Sequence, residues 1–329
     1  MNKPHHTRGK VILAGAGPGD PELVTLKTVR YLQQADVVLT DRLVSNELLE
    51  AHVPERAQIV YVGKQCRRGA STPQETINEL LVEYALQGKL VVRLKGGDVS
   101  VFSNILDELH TLVEHQIPYE IIPGVTAALG ASAYAGIPLT ARGYTKAVRL
   151  LTCYKSDVIT DAYWEELART DDTLVFYMSS ETLDHIVTNL VQRNIAADKW
   201  LAIAEQATTS LQHVHITSLY EYERTLKGRE FISPAIVIIG KVVRLYEQFQ
   251  WRANSNSREH YFKPLVRQDI DEPATNGLLR HGELPQHIPA ADDTAHQPVL
   301  LPASAAVVQT NTGPQAENAV KEHEHVSRA

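Results

Sequence analysis

Three turns of small residues carry the chemistry in this chain: VILAGAGPGDP at 11–21, VVRLKGGD at 91–98 and IIPGVTAALGASAYAGIPLT at 121–140. Each follows a short β-branched run. Glycines there let backbone approach a ligand closely, and ligands of open α/β sheets sit at the carboxyl ends of strands. The three turns are read as walls of one ligand cleft. Gly15, Gly17 and Gly19 are spaced GxGxG, one residue short of the GxGxxG dinucleotide fingerprint. Asp41, an acidic residue about twenty positions on, keeps nicotinamide binding open as a reading of the first turn.

The formal charge of −7 argues against a general nucleic-acid binder. An anionic ligand would have to be met by local cations, and Lys64, Arg67 and Arg68 with the pair Arg93 and Lys95 are the candidates. Two cysteines, Cys66 and Cys153, without CxxC or Cys/His spacing, suggest neither a disulfide framework nor a metal site. No apolar run approaches the roughly 20 residues of a membrane span. The N-terminus MNKPHHTRGK lacks a signal-peptide core, so the expected setting is cytoplasmic.

Positioning these turns requires regular elements. Apolar runs at 10–14, 36–40, 58–62, 89–94 and 119–122 alternate with helical patterns, the βαβ signature. Asp20, Pro21 and Glu22 are start signals for the helix after the first turn. Thr72, Pro73 and Glu75 predict a capping box, followed by an apolar face of Ile77, Leu80, Leu81 and Tyr84.

Further strands are expected at 148–153, 173–178, 201–205, 213–217 and 235–240 in a mixed sheet. The predicted organisation is a disordered start at 1–9, an α/β domain at 10–144, a second α/β domain at 145–250 and a mostly disordered tail at 251–329. The ligand lies between the two α/β domains. The tail rests on composition: seven of sixteen prolines and six of fourteen histidines fall beyond Trp251, and His323 and His325 lack a scaffold that would make them a metal site.

The blocks GAGPGDPELVTLK, DRLVS, VGK, TPQETINELLV, VVRLKGGD, PGVTAA, AYAGIPLT, TLVFYM and PAIVIIGKVVRL, in that order over roughly residues 10 to 245, resemble the tetrapyrrole methylases. Within that family they are most similar to the enzymes that methylate uroporphyrinogen III. The resemblance implies S-adenosylmethionine as methyl donor, no metal, and methylation at C2 and then C7 to give precorrin-2 for sirohaem or cobalamin synthesis. It also implies a homodimer, with neither nucleic acid nor membrane as partner. The chain is expected to act without the fused dehydrogenase and ferrochelatase module of some relatives, since few residues precede Lys10.

Carried over by motif, the resemblance implies a cofactor site of Pro18, Gly96, Gly97, Asp98, Val101, Thr126, Ala127, Met178, Ala207 and Ala235. Asp98 suits an amine or ribose hydroxyl, or a helix cap; Met178 suits an adenine pocket, or ordinary core. On the substrate side, Asp41 either takes a proton and holds pyrrole N–H groups or caps the following helix. Arg93 resembles the substrate-binding arginine, whose fork suits carboxylates. Lys64 is a carboxylate anchor or proton donor, or else a surface lysine.

Departures cluster on the substrate side. Where the family reads PFVFGRGGEE after KGGD, this chain has Val99, Ser100, Val101, Phe102 and then SNILDE, losing a basic residue and three glycines. Gln65, Ala141, Cys153, Tyr154 and Ala207 also stand where the family commonly has other residues. These changes keep two alternatives in view: a methylase acting on another precorrin, and a catalytically weakened protein that binds S-adenosylmethionine or a tetrapyrrole.

Overall fold

A computed structural model of the chain describes residues 9–62, 72–154 and 159–262. Lys64, Arg67, Arg68, Gln65, Cys66, His323 and His325 lie outside the described residues. Two five-stranded sheets form the architecture, both within one compact unit. The first contains β1 (Lys10–Gly15), β2 (Val37–Thr40), β3 (Gln58–Tyr61), β4 (Leu90–Lys95) and β5 (Tyr119–Ile122), all parallel, in the order β3-β2-β4-β1-β5. The second contains β6 (Val148–Thr152), β7 (Thr173–Tyr177), β8 (Trp200–Glu205), β9 (His213–Ser218) and β10 (Ala235–Gly240), in the order β6-β7-β10-β8-β9. Only β6 and β7 pair in parallel there, so the sheet is mixed, as expected.

Helices α1 (Leu26–Gln34), α2 (Asn46–His52), α3 (Gln74–Leu86), α4 (Ile105–Glu114) and α5 (Ala127–Ala135) follow the first five strands, while α6 (Asp161–Arg169), α7 (Leu183–Gln192), α8 (Tyr222–Thr225) and α9 (Tyr246–Phe249) belong to the second half. Two start signals differ from the sequence expectation. Asp20 caps only a 3-10 turn at Pro21–Leu23, and α1 begins later under the side chain of Thr25, which accepts from the Thr28 amide at 3.2 Å. The capping box at Thr72 does not form: Pro73 is the N-cap of α3 and no side chain caps it.

Each sheet is covered by apolar side chains on both faces. Alternation along β4 sends Val92 and Leu94 to one cluster and Val91 to the other. In the second half, Trp164 and Phe176 are the largest fully buried side chains, each contributing about 1.5–3 kcal/mol by the usual area scaling. The junction is made by α5, which follows a strand of the first sheet but packs Ala128, Ala131 and Ala135 against Val175, Ile236 and Ile238 of the second. Its sequence AALGASAYA is nearly free of bulk on that side, so backbone and sheet can approach closely.

No helix among the described residues is long and apolar enough to cross a membrane. The expectation of a mostly disordered tail from 251 does not hold for its first twelve residues: 251–262 run along the protein, and Phe262 is buried. Side-chain hydrogen bonds, which leave no periodic trace in sequence, hold this stretch.

Candidate active site

Because β4, β1 and β5 are adjacent and parallel, their carboxyl ends lie side by side, and the three small-residue turns meet. The Gly17 and Gly97 amides exchange hydrogen bonds with each other's carbonyls at 3.1 and 2.7 Å. A Cβ on Gly15 would stand 2.6 Å from the Gly97 oxygen and 2.7 Å from the Gly124 Cα, so a side chain there would push the turns apart. Gly97 has a different reason to be glycine. Its φ of +72° is left-handed, and an added Cβ would meet only the Ala127 nitrogen at 3.8 Å. That open side is where a ligand can reach the backbone.

Asp98 ties the second turn to the third. Its Oδ1 accepts from the Ser100 amide at 2.8 Å and the Ser100 hydroxyl at 2.5 Å, and its Oδ2 accepts from the Gly124 amide at 2.8 Å. Burial pushes this carboxyl up, but hydrogen bonds from Ser100, Gly124 and Val101 outweigh it and hold the pKa below the usual aspartate value. Asp41 plays a parallel part at the end of β2, accepting from the Leu43 amide at 2.9 Å and the Gly96 amide at 3.3 Å. It remains partly exposed, and two carboxylate lone pairs stay available.

The second half supplies the opposite wall. Tyr177, at the end of β7, shares a 2.8 Å hydrogen bond with the Thr126 hydroxyl, accepts from the Ala128 amide at 3.1 Å, and carries the Phe102 ring with centroids 5.0 Å apart. Burial pushes the Tyr177 phenol up despite the bonds from Thr126 and Ala128. Met178 follows in left-handed backbone and is 46% exposed, so it faces solvent at the wall, not the core. Its sulfur accepts from the Tyr154 hydroxyl at 3.0 Å. Pro18 packs against Gly130 of α5, where an added Cβ would lie 2.6 Å from the Pro18 Cγ. Val101, Ala127 and Ala207 pack in or against the same apolar cluster under α5. The Asp20 amide next to Pro18 and Gly19 donates to the Thr208 hydroxyl at 3.0 Å, binding the first turn to the turn that holds Ala207.

Nine expected cofactor residues are thus drawn toward one junction. Ala235 stands apart: alternation along β10 puts its side chain in the cluster on the other face of the second sheet, with Val237 and Ile239. Arg93 also differs from expectation. It is 4% exposed, its Nε donates to Glu108 Oε1 at 3.0 Å, and its Nη1 donates to the Leu94 and Leu39 carbonyls at 3.1 and 3.4 Å. Strand alternation turns it, with Lys95, under the sheet toward α4, so the guanidinium is buried, with its Nε and Nη1 bonded inside the protein. Lys95 donates to the other oxygen of Glu108 at 2.9 Å, and burial lowers its pKa against the pull of that carboxylate.

Glu108 escaped the sequence reading. The available signal was its place beside Ile105, Leu109 and Leu112 on the buried face of α4, where a charge requires a partner. The loop 99–104, which ends where α4 begins, is built without glycine, yet reaches left-handed backbone at Phe102 (φ +51°) and Asn104 (φ +53°). Asparagine tolerates that region; phenylalanine does so at a cost, and here its ring rests on Tyr177. Among the described residues, no group of three or more His, Cys, Asp or Glu could hold a metal ion.

Known proteins match this chain in sequence and in fold. The family described as Tetrapyrrole (Corrin/Porphyrin) Methylases matches residues 10–223. The siroheme synthase of Vesicomyosocius okutanii is 44% identical over 243 residues, covering 74% of this chain and 52% of that protein. The chain spans about half the length of the curated relatives it matches. A crystal structure of uroporphyrin-III-C-methyltransferase from Thermus thermophilus superposes with a TM-score of 0.62 at 34% identity, covering 75% of this chain and 99% of the other. The same enzyme complexed with S-adenosyl homocysteine gives 0.60 at 36% identity, covering 72% and 94%.

Proposed function

The chain belongs to the tetrapyrrole methylases, and from that premise we propose that it transfers methyl groups from S-adenosylmethionine to C2 and then C7 of uroporphyrinogen III, giving precorrin-2. The observation that carries this reading is the junction of the three turns, with the open side of Gly97 and the exposed Met178 at its edges. Sirohaem synthesis is the proposed destination, supported by the siroheme synthases among the relatives. A homodimer and a cytoplasmic setting belong to the same proposal.

The residues present suit the donor. Gly97 offers backbone at close range on its open side, bordered by Ala127, while Gly96 is packed against Leu43 and bonded to Asp41; with Thr126, the residues Pro18, Val101, Ala207 and Met178 are proposed to complete the pocket. S-adenosylmethionine supplies a methyl carbon already activated by its sulfonium. What remains for the protein is to place the pyrrole carbon and exclude water. Asp98 braces the second and third turns through Ser100 and Gly124. Asp41, fixed by two backbone amides, holds pyrrole N–H groups or takes the proton released at the methylated carbon. Lys64 is proposed to anchor a substrate carboxylate. Arg93 is assigned instead to the buried cluster with Glu108 and Lys95.

The test is anaerobic incubation with enzymatically generated uroporphyrinogen III and S-adenosylmethionine, followed by mass and absorbance. Addition of two methyl groups is expected. Unmodified substrate beside intact S-adenosylhomocysteine binding would overturn the substrate assignment and favour another precorrin or a binding role.

A further inference from the structure

Residues 251–262 are stitched to both halves of the cleft. The Trp251 indole donates to the Ala133 carbonyl at 2.8 Å, and Arg252 lies over the Tyr134 ring while donating to the Thr209 carbonyl at 3.0 Å. Asn254 pairs with both backbone groups of Val214 on β9, at 2.8 and 3.1 Å. Gln206, 1% exposed, gives its whole side-chain amide to this segment: Nε2 donates to the Glu259 carbonyl at 3.0 Å and Oε1 accepts from the Tyr261 amide at 2.7 Å. Tyr261 then crosses to the first half, where its hydroxyl donates to Glu47 Oε2 on α2 at 2.7 Å.

The two ends of this path matter for the site. Gln206 begins the turn that carries Ala207 and the Thr208 hydroxyl bonded to the Asp20 amide. Glu47 lies in the first turn of α2, whose N-cap is Ser45, at the end of the loop that starts at Asp41. A buried amide bound only to the segment would be left unpaired if the segment departed, so the contact is built to persist. A phenol bonded to a carboxylate is a charge-assisted link and among the stronger single hydrogen bonds.

We propose that residues 251–262 clamp the two halves of the cleft at their working separation, and that Tyr261 is the positioning residue that ties the Asp41 loop to the Gln206–Thr209 turn. Neither Tyr261 nor Glu47 needs to touch a ligand. Their bond sets the distance between groups that do. The effect on ligands rests on the cofactor and substrate reading above, whereas the mechanical link does not.

The experiment uses the full chain with Tyr261→Phe, Glu47→Gln and the double variant. Tyr261→Phe should raise the uroporphyrinogen III KM and the S-adenosylhomocysteine Kd about three- to tenfold, the range of one ordinary hydrogen bond, and Glu47→Gln, whose amide oxygen still accepts, should raise them less. The kcat and Tm should stay near wild type, and the double variant should be no worse than Tyr261→Phe alone, since loss of the phenol already removes its bonds to Glu47 and Ser45 while Glu47→Gln only weakens the first. Unchanged KM and Kd, effects that add, or a loss confined to Tm would overturn the clamp. Amide hydrogen exchange across 41–49 separates the two ideas. If wild type binds no S-adenosylhomocysteine, the cofactor reading fails; faster exchange in Tyr261→Phe still supports the link, and unchanged exchange overturns it.

Discussion

The Gly97 amide donates to the Gly17 carbonyl at 2.7 Å, closing the first turn onto the second. Gly97→Ala keeps that bond but places a Cβ in left-handed backbone on the open side. The backbone penalty is about 1–2 kcal/mol. The expected signature is a modest fall in Tm with a disproportionate, at least tenfold, loss of S-adenosylhomocysteine affinity by calorimetry. Affinity that merely tracks the folded fraction would remove Gly97 from the site.

Gly15→Ala should behave differently. Its Cβ would meet backbone of both other turns, so the expected outcome is loss of folding stability of several kcal/mol, in the upper range for a single substitution. Chemical denaturation reads this directly, and a change below about 1 kcal/mol would mean the turns can separate without penalty.

The buried cluster makes a sharper energetic prediction. Glu108→Gln leaves Arg93 and Lys95 as neighbouring buried cations, and breaking such a cluster typically costs about 3–5 kcal/mol. Glu108→Gln should therefore unfold at clearly lower denaturant than wild type. Replacing Arg93 by Met and Glu108 by Gln together should cost less than the summed singles, since it removes a charge of each sign.

Asp98 gives a pH dependence. Its folded pKa is depressed, so it binds its proton more weakly in the folded state than in the unfolded one. The stabilisation is then present above the unfolded value and is lost as pH falls through the folded one. Wild type should lose stability below pH about 4 more steeply than Asp98→Asn, with the two curves converging in acid. Parallel denaturation midpoints from neutral pH downward would contradict the bracing role.

Tyr177→Phe isolates one hydroxyl at the junction. It removes the acceptor of the Ala128 amide and the partner of Thr126 while keeping the ring under Phe102. A loss of about 1–3 kcal/mol follows from the orphaned amide. Cofactor affinity should fall as well, because Thr126 loses its anchor; an unchanged Kd would place Thr126 outside the pocket.

Much of this protein was readable from local sequence. Tyr119–Ile122 and Ala235–Gly240 are strands as their β-branched runs implied, the other eight strands shift by only a residue or so at their ends, and the glycine turns sit where those runs stop. Such features depend on spacing between near neighbours, which any chain displays. Strand order does not. That β4 and β5 flank β1, so that Gly15, Gly97 and Gly124 touch, is decided by which strands pair across long separations. The same holds for Arg93, whose side chain could not be known to face Glu108 and not a ligand until α4 was packed beneath β4. Residues 251–262 looked like tail because hydrogen bonds from Gln206, Asn254 and Tyr261 obey no period. Local periodicity therefore specified the elements and the turns, while long-range pairing and burial decided which of the candidate side chains meet at the cleft.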